Sequence, residues 1–97
     1  MRFQWDPKKN RDNARKHGLD FTDAPEIFEG LLLARPDTRE DYGEERWQGI
    51  GNARGRVVVV VFATIGADTI RIISLRKADS YERAQYEKAV ADELGTG

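Results

Sequence analysis

Three places in the chain set ionisable side chains side by side in patterns that acid–base or phosphate chemistry uses. In A-R-K-H-G-L-D-F, Ala14 to Phe21, Lys16 precedes the only histidine, His17. An imidazole, with an ordinary pKa of about 6.5, both takes and gives a proton near neutrality. The same two side chains also suit the negative end of a helix dipole. In E-E-R-W, Glu44 to Trp47, the neighbours Glu45 and Arg46 open a strand and point to opposite faces of it. Charges of that kind equally protect a strand from aggregation, with Trp47 as core. In S-L-R-K-A, Ser74 to Ala78, Arg76 and Lys77 stand where a strand runs out. A guanidinium grips phosphate oxygens two at a time and an ammonium adds a compact charge. A solvated strand terminus has the same composition, and Arg83 on the following helix would extend the group.

Several chemistries are excluded by what is missing. There is no cysteine, so disulfides, thiolate metal sites and a cysteine nucleophile are out, and one histidine leaves a zinc site short of ligands. No phosphate-cradling glycine loop, dinucleotide fingerprint, nucleophile elbow or H-E-x-x-H pair occurs. Gly49 and Gly51 form only an isolated G-x-G within a strand, which marks a bend or close helix packing. The expectation is therefore no cofactor and no metal.

Charge is distributed in blocks. The net value is −1, yet residues 1–17 carry +4, residues 20–45 carry −7, residues 46–77 carry +5 and residues 78–97 carry −3. If the two basic blocks meet in space, a neutral protein presents a cationic face suited to a polyanion. Alternating charge that only keeps a small domain soluble is the plainer alternative.

The elements that must position these residues follow from capping and periodicity. Asp6 and Pro7 read as the N-cap and first residue of a helix that Gly18 ends. Asn10, Asn13, Ala14 and His17 share one face of it, and Ala14 is its only apolar residue, so Phe3, Trp5, Leu19 and Phe21 must anchor it. Packing gives such a helix little reason to align Asn10, Asn13 and His17, which favours a functional His17. A short second helix starts at Thr22 and closes at Gly30. Residues 31–34, 46–52, 56–64 and 69–76 read as strands, the last three an antiparallel meander, with the unbroken valines of the third covered on both sides. A final helix opens at Asp79 with Glu82 as a capping box, sets Tyr86, Val90 and Leu94 on one stripe, and frays at Gly95 and Gly97. The fold class is α+β: a small single domain, 1–97, with a four-stranded, mainly antiparallel sheet, two N-terminal helices and a C-terminal helix. The longest apolar run, Val57 to Ala63, is far short of a membrane span, and no signal segment follows Met1, so a cytoplasmic protein with no membrane contact is expected.

Taken together, F-x-W-D-P-x-K-x-x-x-N-x-x-K-H-G-L-x-F-x-x-A, then Y-G-E-E-R-W-x-G-I-G, then I-R-I-I-S-L-R-K-A with E-R-x-x-Y, resemble the BrnT family of type II toxin–antitoxin toxins from Phe3 to Tyr86. The resemblance implies a RelE-like fold and a ribonuclease that inhibits translation. It implies neutralisation by a BrnA-like, ribbon-helix-helix antitoxin, in a heterotetramer that contains a toxin dimer and reaches operator DNA only through the antitoxin. The site residues within the matching motifs are Lys16, His17, Glu45, Arg46, Arg76 and Lys77. Metal-free cleavage of an RNA substrate would use His17 or Glu45 as base, Arg46, Arg76 and Lys16 on the developing charge, and His17 or Lys77 as acid. A non-catalytic module that binds nucleic acid or protein through the same basic patch is the competing class.

Overall fold

The computed structural model describes residues 1–95, so the expected fraying at Gly97 lies outside the described residues. In chain order the elements are β1 (Arg2–Gln4), α1 (Pro7–His17), a 3-10 turn (Phe21–Asp23), α2 (Ala24–Ile27), β2 (Leu33–Pro36), β3 (Arg46–Ala53), β4 (Arg56–Ile65), β5 (Thr69–Lys77) and α3 (Ser80–Glu93). The strands form one sheet in the order β1-β5-β4-β3-β2. β2 through β5 pair antiparallel, and β1 lies parallel to β5. The expected four-stranded sheet is therefore corrected to a five-stranded mixed one: three residues are too few for alternation to show. The second N-terminal helix is a 3-10 turn followed by a single α-turn. The first antiparallel strand begins two residues late, because Leu32 turns into the core and the Leu31 carbonyl accepts the Tyr86 hydroxyl at 3.0 Å.

Helix α1 starts and stops as its sequence dictates. Asp6 accepts from the Lys8 N–H at 2.8 Å, and Gly18, at φ 71°, takes the left-handed conformation that a side chain would resist. Its attachment to the sheet is polar. The Asn13 side chain is buried, donates to the carbonyls of Leu75 and Leu19 at 2.9 and 3.0 Å, and accepts from the Leu75 N–H at 3.0 Å. β1 pairs β5 only as far as Arg71, so one side-chain amide takes the place of the strand that Leu75 lacks. Asn10 does similar work, accepting from the Phe21 N–H at 2.8 Å and donating to Asp20 at 3.0 Å. The polar face of α1 is thus structural at Asn10 and Asn13, which corrects the inference that packing had no use for it.

Paired residues in antiparallel strands share a face, so the register sorts the sheet. On one face Val58, Val60 and Phe62 of β4 and Ile72 and Leu75 of β5 meet Phe21 and Ile27 in the main core. Burying side chains of this size completely stabilises by about 1.5–3 kcal/mol each. A Cβ on Gly51 would stand 2.5 Å from Ile27 Cγ2, so that glycine exists to admit α2. On the opposite face lie Val59, Val61 and Ala63, also buried, with α3 crossing β3 and β4. Strand β5 carries a bulge at Ile73, since Val61 pairs Ser74 while Phe62 pairs Ile72. The bulge reverses the alternation, placing Leu75 with Ile72 in the core and Arg76 with Arg71 outside it. Helix α3 has the expected capping box, Glu82 N–H to Asp79 at 2.8 Å and Asp79 N–H to Glu82 at 2.9 Å. Tyr86 is buried and Val90 half-buried, but Leu94 is the exposed C-cap, past the last turn that reaches the sheet. No helix among the described residues is long and apolar enough to cross a membrane.

Candidate active site

The face turned toward α3 gathers arginines by register. Arg46 of β3 pairs Ala63 of β4, and Ala63 pairs Arg71 of β5, so two guanidiniums flank one small buried residue. Glu44 lies between them: its carboxylate is in bidentate contact with Arg71 and 3.7 Å from Arg46 Nη2. Arg46 is the least committed of the two. Its guanidinium lies 4.1 Å from the centre of the Tyr42 ring, and its Nε, although buried, has no protein acceptor. Further along the same face Arg76 pairs Val59 and is gripped by Glu82 through two hydrogen bonds of 2.8 and 2.9 Å. That grip holds the Glu82 carboxyl well below the usual range, at about 2, and raises Arg76, while the positive charge of Arg39 works against Arg76. Arg39 is itself held by two bonds of 2.8 Å to the buried Asp37, which lowers the Asp37 carboxyl.

The other expected residues do not join this face. Helix α1 packs on the core face and runs along β5 in the strand's own direction, from the β1 end past Leu75. Lys16 and His17 at its C-terminus therefore stand by the end of β5, and Lys77, paired with the core residue Val58, points to their side of the sheet. The side chains of Lys16, His17 and Lys77 enter none of the ion pairs among the described residues. Beside them, Gly18, Leu75, Arg54 and Arg56 line a cleft of about 360 Å³. Glu45 is exposed, one residue before β3. The six residues thus divide: Arg46 and Arg76 on the α3 face, Lys16, His17 and Lys77 at the α1 end, Glu45 beside the first group.

The family model for the ribonuclease toxin BrnT of type II toxin–antitoxin systems matches residues 5–82. The chain belongs to the BrnT family. That span contains the whole arginine face and the α1 end alike. The 1.1 Å crystal structure of the Brucella abortus ribonuclease toxin BrnT is similar at 32% identity and a TM-score of 0.68, over 82% of this chain and 99% of that one. No curated protein matches. Membership makes the chain one of a family of ribonuclease toxins, which in a type II system is partnered by an antitoxin. Sequence reasoning had passed over Glu44, Arg71 and Tyr42. Their signal was available only as a register: Arg71 faces Arg46 because Ala63 pairs both. Among the described residues no three carboxylate or imidazole side chains converge as metal ligands would.

Proposed function

We propose that the chain cleaves single-stranded RNA without a metal, by attack of a 2′-OH on the adjacent phosphate, and that the α3-side arginine face carries the reaction. The observation behind this is the alignment of Arg46 and Arg71 about Ala63 with the Glu44 carboxylate between them. A phosphate seated over Ala63 meets two guanidiniums fixed in place before the reaction, which act most strongly on the oxygens that gain charge in the phosphorane. Glu44, oriented by both arginines, takes the 2′ proton. Arginine stays protonated and cannot give one up, so the departing 5′-oxygen takes its proton from water. Arg76 contacts a neighbouring phosphate with the share of its charge that Glu82 leaves. The need for a 2′-OH selects RNA over DNA.

Of the two expected bases, His17 and Glu45, this reading favours the Glu44–Glu45 segment, and it leaves Lys16, His17 and Lys77 outside the reacting centre. The antitoxin, of the BrnA-like ribbon-helix-helix kind, covers the arginine face, excluding substrate and neutralising the charge together. The active cell compartment is the cytoplasm, residues 1–97 act as one domain, and operator DNA is reached only through the antitoxin within a heterotetramer holding a toxin dimer. The test is cleavage of a 5′-labelled single-stranded RNA by the purified protein in excess chelator. Cutting that persists in chelator and is lost in both Arg46→Ala and Glu44→Gln supports the proposal. Cutting abolished by chelator and restored by magnesium overturns the metal-free mechanism.

A further inference from the structure

A cleft of about 500 Å³ lies between the β2–β3 edge of the sheet and α3. Its floor is apolar, formed by Leu33 and Ile50, which pair across β2 and β3. Its rim carries Tyr81, 70% exposed, the amides of Gln48 and Gln85, and Arg35, which donates to Gln48 Oε1 at 3.3 Å. The Tyr81 hydroxyl accepts from Gln85 Nε2 at 3.4 Å, which steadies the ring. At one end stand the carboxylates of Asp79 and Glu82. An aromatic ring that large and that exposed gives nothing to the fold. The cleft continues the arginine face, because Ile50 pairs Val59 and Val59 pairs Arg76.

We propose that this cleft is a nucleobase subsite, taking one unstacked base of a single-stranded RNA, with preference for bases that carry an exocyclic amino group. The inference rests on the arginine face being where the RNA backbone lies. The apolar floor and the exposed ring suit a flat neutral base, which stacks on Tyr81 over Leu33 and Ile50, better than they suit a phosphate. Arg35 occupies Gln48 Oε1 and the Tyr81 hydroxyl takes Gln85 Nε2, so Gln48 Nε2 and Gln85 Oε1 are left for a base edge. Glu82 is taken up by Arg76, and the Asp79 oxygen that the helix cap leaves over accepts only, which favours an amino donor over the carbonyl of uracil. With the base in the cleft, its phosphate falls at Arg76 and the next strand segment runs toward Arg46 and Arg71.

The probes are 2′-O-methyl tetramers of adenosine and of uridine, which cannot be cleaved, labelled for fluorescence anisotropy. The wild-type protein is expected to bind the adenosine tetramer about tenfold more tightly than the uridine tetramer. Tyr81→Ala is expected to lose roughly tenfold for adenosine, the scale of one stacked base, and Tyr81→Phe to retain it. Equal affinity for the two tetramers, unchanged affinity in Tyr81→Ala, or no binding of either tetramer overturns the subsite. Because the tetramers are uncleavable, the result is independent of catalysis: a wild-type protein that binds adenosine through Tyr81 but cuts no ordinary RNA keeps the subsite and sinks the ribonuclease mechanism. Thermal unfolding of Tyr81→Ala is expected to match wild type, since the ring is solvated.

Discussion

On the side of α1, the strands are covered by side chains whose polar atoms are answered within the protein, Asn13 against Leu75 and Asn10 against Phe21, around an apolar centre of Phe21 and Ile27. On the side of α3, the same strands carry Arg35, Arg46, Arg71 and Arg76, with Glu44 and Glu82 as counterions. The first face fixes the register and the second inherits it. Core packing over Val58, Val60 and Phe62 determines how β3, β4 and β5 align, and that alignment is what brings Arg46 and Arg71 together. A site assembled this way takes its alignment from the opposite face, and of its arginines Arg46 is the one least committed to a counterion.

The sharpest way to break this contrast is to remove one guanidinium. Arg46→Ala is expected to lower single-turnover RNA cleavage by about 10²-fold or more, the scale of one preorganised charge contact, with thermal stability nearly kept. An equal fall in Tm and rate would make Arg46 part of the scaffold instead. The opposite signature is expected of Asn13→Ala. It leaves the main chain of Leu75 and the Leu19 carbonyl without partners, at a cost of about 2–4 kcal/mol, and should lower the urea midpoint while cleavage by the folded fraction stays near wild type.

Glu82 tests whether the arginine face contributes to stability at all. The hydrogen bonds from Arg76 hold its folded carboxyl down at about 2, against an ordinary 4.5. A depressed carboxyl stabilises fully above the unfolded value, and the contribution fades as pH falls from 4.5 toward 2. At neutral pH it is on the order of 1–3 kcal/mol, reduced by water reaching the partly exposed Arg76. Urea unfolding from pH 7 to pH 3 should therefore show the gap between wild type and Glu82→Gln narrow to roughly half at the acid end. A gap of the same size at pH 7 and pH 3 means the helix cap, and not the ion pair, is what Glu82 supplies. The smallest effect is expected at His17→Ala: at most about 1 kcal/mol from the helix end, with cleavage within a few-fold of wild type. A hundredfold loss there would move the reacting centre to the α1 end.

The parts of this arrangement legible in the sequence were those with local chemistry behind them. Asp6, Pro7 and Gly18 bound α1, Asp79 and Glu82 cap α3, and five valines mark the central strand. Arg46 and Arg76 were also visible, because strand ends advertise their charges. What stayed hidden depends on distant pairing. Three residues of β1 carry no periodic signal, and Asn13 gives no sign that its partner lies 62 residues away at Leu75. The face of Arg76 was hidden for a more particular reason. In I-R-I-I-S-L-R the alternation slips by one at Ile73, and only the ladder shows that the slip is a bulge that returns Arg76 to the side of Arg71.

The amide of Leu75 has one further consequence. Its hydrogen is held by a side chain from α1 and by no strand on that side, so its exchange with deuterium follows the undocking of one helix and not the opening of the sheet. Val60, on the neighbouring strand, reports the sheet itself. When a partner protein or an RNA binds, slowed exchange at Leu75 alone would place the contact on the α1 side, and slowed exchange elsewhere with Leu75 unchanged would place it on the α3 side. One backbone proton thus serves as a built-in gauge of which side of the molecule is engaged.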